Sequence, residues 1–125
     1  AVGIGVHIPR VLHQSWKDDH LPSALKELRS SCVAKTGSTW QHYFWTDTQN
    51  RKLFEDYYEW LLPVYDELPR PVMRADLARY VYLHRFGGVY IDLDVHCSKD
   101  LESLLESTEK SFSAARSSVL LCPDP

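Results

Sequence analysis

The sequence predicts an α/β fold with an open, mainly parallel sheet flanked by helices. Three observations carry this. Short apolar or aromatic runs alternate along the chain with segments whose apolar residues recur at helical spacing. Hydrophobic residues make up 44% and charged residues 25% of the chain, the balance of a soluble globular domain. The 125 residues suit a single domain, long enough to bury roughly two-thirds of the surface of its unfolded chain.

The first strand is read at residues 8–14, with Pro9 near its start, where a missing backbone donor is tolerated. A helix follows over residues 21–35: Pro22 suits its first turn, and Leu21, Ala24, Leu25, Leu28 and Cys32 keep a helical period. Thr36-Gly37-Ser38 breaks it, and the aromatic run Trp40–Trp45 reads as a second strand. Thr46-Asp47-Thr48 opens a second helix over residues 48–62, carrying Leu53, Phe54, Tyr57, Trp60 and Leu61. Pro63, Pro69 and Pro71 punctuate the next stretch, leaving residues 64–70 as a loop or a short helical turn. Residues 71–86 form a helix ended by Arg85 in its last turn and Gly87 beyond it. Residues 88–93 are apolar and β-branched, the pattern of a buried central strand. Residues 100–105 read as one or two helical turns, and residues 111–125 offer at most a strand at 118–121.

The net charge of −3 gives no basic surface for nucleic acid or an anionic membrane. The longest apolar runs, such as Val119–Cys122, are a few residues and cannot span a bilayer. The apolar start at residues 1–8 is short and lacks a basic lead, so it is not a signal peptide. Cys32, Cys97 and Cys122 form no Cys-x-x-Cys pair, which argues against structural zinc. They allow one disulfide in an oxidising compartment, and the sequence does not say whether it forms.

The chemistry concentrates in Gly87-Gly88-Val89-Tyr90-Ile91-Asp92-Leu93-Asp94. Strand residues two apart project to one side, so Asp92 and Asp94 aim at one point where a strand leaves the sheet. Ligands in open parallel sheets bind beyond those strand ends. Two adjacent carboxylates repel unless a cation compensates. Hard divalent cations, Mn²⁺ or Mg²⁺, combine one or two carboxylates with substrate phosphates. The bland alternative is that two acids simply end a strand. On the preceding helix Met73, Leu77, Tyr80 and His84 share a face, with Asp76 at its edge and Arg79 a step further round. These two are either an ordinary i,i+3 ion pair, or Asp76 accepts from sugar hydroxyls while Arg79 offers its rigid fork of donors to a phosphate.

Ala75-Asp76-Leu77-Ala78-Arg79-Tyr80, Leu83 and the Gly87–Asp94 segment resemble the signature of glycosyltransferase family 32, the DXD-containing sugar transferases. That family holds Och1-type mannosyltransferases, inositol-phosphoceramide mannosyltransferases and α-1,4 galactosyl- and N-acetylglucosaminyltransferases. Residues 8–17 resemble its first strand and residues 43–47 its second, so the likeness covers residues 8–104. The resemblance implies a GT-A-type, Rossmann-like fold, here incomplete, with residues 1–125 forming the donor-binding portion. It implies retaining transfer of a hexose from GDP-mannose or a UDP-hexose to a glycan or glycolipid acceptor, in the Golgi or secretory-pathway lumen. Asp94 becomes the direct metal ligand. Asp92 contacts donor sugar or ribose and the metal, Asp76 and Arg79 grip sugar and phosphate, and Trp16 stacks on the base. Tyr90 faces the donor or packs. No protein nucleophile stands out, and same-face attack needs none. Two competing expectations are a noncatalytic nucleotide-sugar-binding domain and a phosphohydrolase drawing on Glu102 and Glu106. His96 is a further candidate near the metal.

Overall fold

The computed structural model describes residues 5–121; Cys122 and residues 1–4 of the opening apolar segment lie outside them. The elements are β1 (Val11–Ser15), α1 (Ser23–Val33), β2 (Gln41–Trp45), α2 (Asp47–Tyr57), a 3₁₀ turn at Glu59–Leu61, α3 (Leu62–Glu67), α4 (Pro71–Phe86), β3 (Val89–Tyr90) and α5 (Leu101–Leu121). The three strands form a parallel sheet in the order β2-β1-β3, so the expected α/β architecture is present.

The central strand is β1, not the segment at 88–93. Four of its five residues are buried, and two of these, His13 and Gln14, are polar, which hid its position from a hydrophobicity reading. Both keep hydrogen bonds inside the sheet's two layers. His13 bonds to Trp45 and Gly87, and Gln14 Oε1 accepts from Arg29 at 2.7 Å. Conversely, β3 is a two-residue edge strand, paired only through Leu12↔Val89 and His13↔Tyr90. The chain leaves the sheet in a turn closed by Val95 N–H on Asp92 O at 3.2 Å.

Side chains alternate across the sheet and build two cores. Leu12 joins Cys32, Trp40, Cys97, Leu101 and Leu105, with Val89 and Ile91 against them. On the other face Trp45, Phe86 and Tyr90 pack against Leu53, Phe54, Tyr58, Tyr65, Ala78, Val81 and Tyr82. Trp45 and Tyr82 stack with centroids 4.6 Å apart. The buried face of α4 is therefore Ala78-Val81-Tyr82. The face carrying Met73, Tyr80 and His84 is exposed, because the sheet lies on the other side.

Helix boundaries follow local chemistry. Thr46 caps α2 through a reciprocal box with Gln49, as the Thr-Asp-Thr start predicts. The expected 48–62 helix breaks at Tyr58, whose φ of −137° is not helical. Pro63 then sits in the first turn of α3. The expected short helix at 100–105 extends to Leu121, and residues 118–121 are helical rather than a strand. What orders its start is tertiary. Arg10 lies between Glu102 and Glu109 of α5 at 2.7 Å from each, Glu109 also takes Ile8 N–H, and Trp40 Nε1 donates to Glu102. Arg10 and the Ile8 amide hold the Glu109 carboxyl down to about 2. Cys32 and Cys97 form a disulfide across a sequence separation of 65, deciding what the three cysteines left open.

Candidate functional site

Parallel pairing brings the carboxyl ends of β1, β2 and β3 to one rim. Ser15 and Trp16 stand at the end of β1, Trp45 and Thr46 at the end of β2, and Ile91 and Asp92 beyond β3. Ligands bind at this rim in open α/β sheets. The alternation of β3 runs on past its end. Ile91 faces the Cys32–Cys97 core while Tyr90 faces α4, and Asp92 meets α4 in turn.

Arg79 organises the rim. Its Nη2 lies 3.2 Å from Asp76 Oδ1 and 3.5 Å from Asp92 Oδ1, and its guanidinium carbon sits 4.5 Å above the Tyr90 ring. Tyr90 Oη is itself 3.0 Å from Ser15 Oγ, which ties β3 to the end of β1. Burial pushes the Tyr90 phenol up, with the Ser15 hydroxyl and the Arg79 charge pulling back. Asp76 and Asp92 keep more than half of their side-chain surface exposed, at 55% and 54%. Ion pairs that wet contribute about 0–1 kcal/mol, so the cluster is not explained by stability. Meanwhile Arg79 Nε is buried with no hydrogen-bond partner among the described residues, as are Trp16 Nε1 and Gln14 Nε2. A buried guanidinium N–H without a partner is what an anionic, oxygen-rich ligand would complete.

The carboxylate pair differs in detail from a strand-end pair. The alternation that carries Asp92 stops where the turn begins, so period-two geometry of a strand does not place Leu93 and Asp94. The turn does: Leu93 is 5% exposed and anchors the segment inward, while Asp92 and Asp94 on either side are exposed. Asp76, Arg79, Asp92 and Tyr90 are thus brought together and Trp16 stands at the neighbouring strand end. Among the described residues Asp94 has no side-chain partner, and no three His, Cys, Asp or Glu residues group to hold a metal. A hard cation here would take one or two carboxylates and draw its other ligands from phosphate and water, and the donor set fits that chemistry. His96 is exposed in the segment after the turn. Glu102 is engaged by Arg10 and Trp40, which removes it from a phosphohydrolase site. A polar recess of about 510 Å³ lined by Asp47, Arg51, Tyr65, Asp66 and Arg74 lies apart from Asp92 and Asp94, with Arg51 and Asp66 paired at 2.9 Å.

The sequence reading missed His13 and Ser15. His13 is fully buried; its Nε2–H donates to Gly87 O at 2.9 Å and its Nδ1 accepts from Trp45 Nε1 at 3.1 Å. It holds the turn that launches β3. The signal was available: two polar residues on alternate positions of an apolar strand, both on the face later found to point at α4. Burial lowers the His13 pKa below its usual 6.5, partly offset by the Gly87 carbonyl. His42 is lowered as well, by burial and by Arg29. The unfolded chain therefore binds protons that the fold refuses, and stability is present above pH 6.5 and lost as pH falls below it. The free energy of unfolding, read by urea titration, is expected to drop between pH 7.5 and 5.5, by up to about 1.4 kcal/mol per pH unit from the fully buried His13. A His13→Gln variant whose pH dependence equals that of the parent would contradict this role for His13.

The rim thus combines an Asp-x-Asp turn with an Asp-x-x-Arg helix whose arginine reaches both Asp76 and Asp92. The model of the glycosyltransferase sugar-binding region containing DXD motif matches residues 22–111, and the chain belongs to that family. It is similar to inositol phosphoceramide mannosyltransferase 2 of Schizosaccharomyces pombe, 41% identical over 98 residues, covering 78% of this chain and 28% of that one. It is also similar to the mannosyl phosphorylinositol ceramide synthase SUR1 of Saccharomyces cerevisiae, at 36% over 98 residues, 78% of this chain and 25% of that one. A more distant relative is the initiation-specific alpha-1,6-mannosyltransferase of Candida albicans, at 27% over 108 residues, 81% of this chain and 28% of that one. The chain spans little more than a quarter of the length of these relatives. No solved structure matches.

Proposed function

We propose that this chain is the donor-binding portion of a metal-dependent, retaining mannosyltransferase that uses GDP-mannose in preference to a UDP-hexose. The single observation that carries the reading is the Arg79 fork, shared between Asp76 and Asp92 at the end of β3, with its Nε buried and without a partner among the described residues. The names of the relatives support mannose as the sugar and an inositol-phosphoceramide-type glycolipid as the acceptor. The disulfide supports an oxidising compartment such as the Golgi or secretory lumen. No helix among the described residues is long and apolar enough to cross a membrane.

In this reading Asp94 ligates Mn²⁺ or Mg²⁺ and Asp92 contacts the donor and, with Asp94, the metal. When bound, the cation supplies Lewis-acid stabilisation of the leaving diphosphate. Arg79 donates to a phosphate or sugar oxygen and adds to that stabilisation as charge develops. Asp76 accepts from sugar hydroxyls and fixes the ring's orientation. Trp16 covers the base, and Tyr90 holds Arg79 from below. The reading assigns no protein nucleophile and takes same-face attack by the acceptor.

Thermal-shift titration with GDP-mannose, UDP-galactose and UDP-N-acetylglucosamine, each with and without Mn²⁺, tests the proposal. Donor at 100 times its Kd is expected to stabilise the chain by about 2.7 kcal/mol. Asp94→Asn should abolish the Mn²⁺-dependent part of that shift with the fold intact. Arg79→Ala and Arg79→Lys should each weaken donor binding about 10- to 100-fold, since an ammonium does not reproduce the fork. A full Mn²⁺-dependent shift in Asp94→Asn would reject the assignment. The noncatalytic alternative gives the same shifts with no mannose released or transferred.

A further inference from the structure

The Asp92–Cys97 segment is held at three points. At its entrance Ile91 N–H donates to His13 O at 3.1 Å, continuing the β1 ladder. In its middle Leu93 is buried. At its exit Cys97 is joined to Cys32 of α1, with Cα atoms 4.7 Å apart, and Cys97 N–H donates to Ser31 Oγ at 3.1 Å. Ser31 is fixed in turn by donating to Leu28 O at 2.6 Å. Cys32 is fully buried, so α1 offers a rigid anchor. Asp94 lies three residues from this covalent staple, is exposed, and its carboxylate makes no hydrogen bond or ion pair among the described residues.

We propose that Ser31 and the Cys32–Cys97 disulfide are positioning residues for Asp94. They fix the metal-binding turn to α1, a helix on the opposite sheet face from the α4 residues that hold Asp92. The inference rests on the functional reading above. A carboxylate on a free loop must be ordered each time a cation binds, and that lost entropy subtracts from affinity. The staple removes the cost beforehand. Asp92 is set by Arg79 from one face of the sheet and Asp94 by the disulfide from the other, so the two ligands have separate supports.

The test uses the whole chain with Mn²⁺ and GDP. Mn²⁺ affinity in saturating GDP is read from the EPR signal of free Mn²⁺, GDP affinity without metal is read by calorimetry, and hydrogen exchange is followed at the Val95 amide, which closes the turn. In Cys32→Ala/Cys97→Ala, checked for a native near-ultraviolet spectrum, Mn²⁺ affinity should fall about tenfold or more. Ser31→Ala, which keeps the disulfide, should lose about threefold. Metal-free GDP affinity should stay at the parent value in both, and Val95 exchange should accelerate. A merely structural role would weaken both affinities together, and that result, or parental Mn²⁺ affinity in a folded variant, overturns the proposal. Should the double variant not fold, Ser31→Ala decides. If the parent binds no Mn²⁺ with GDP, the transferase reading fails on its own. The exchange measurement then still judges the staple, and unchanged Val95 protection overturns it.

Discussion

Replacing both Cys32 and Cys97 by alanine is expected to lower the free energy of unfolding by about 4 kcal/mol, the chain-entropy value for a loop of this size. The bond spans a sequence separation of 65 and so encloses β2, α2, α3, α4 and β3. Reduction frees more than half of the described chain in the unfolded state. Both half-cystines are buried in the core with Leu12, Trp40, Leu101 and Leu105, and truncating buried side chains adds a packing loss. Urea unfolding of the parent and the double variant measures the difference. A loss below about 1 kcal/mol would mean that the unfolded chain gains little freedom without the bond.

Gly88→Ala is expected to cost about 3 kcal/mol or more. Gly88 has φ +90°, and a Cβ there would lie 2.3 Å from Val11 O and 2.8 Å from Val11 Cβ. Val11 belongs to the central strand and pairs with Gln41, so it has nowhere to retreat. Gly87→Ala should cost less, about 1–2 kcal/mol. Its φ is +69° and its Cβ would press on the Pro9 ring, a side chain rather than a strand backbone. Thermal unfolding of the two variants gives the order, and a milder Gly88→Ala would contradict the packing argument. Because these glycines place β3, Gly88→Ala should also displace Asp92 from Arg79 and weaken donor binding in whatever fraction folds.

Much of this protein was legible in order and type. Helical spacing located α1 and α4, Thr46-Asp47-Thr48 marked the start of α2, and the aromatic run gave β2, because local hydrogen bonding and apolar period decide those features. Asp76, Arg79, Asp92 and Asp94 stood out because their residue types and spacing suit oxygen-rich ligands, and the structure joins three of them through one guanidinium. Other features depend on partners far along the chain. The β-branched run at 88–93 suggested a central strand, yet the centre went to β1, whose polar His13 bonds to Trp45 and Gly87 and whose Gln14 Oε1 accepts from Arg29. The length of α5 escaped a local reading, since Arg10 and the Ile8 amide, about a hundred residues earlier, order Glu102 and Glu109. Sequence by itself determined the parallel α/β class and the charged residue types that the rim carries, both properties of residue type and period. Tertiary structure alone decided strand order, the pairing of Cys32 with Cys97 and the turn that carries Asp94, because each needs two distant segments brought within bonding distance, and composition and spacing do not encode distance.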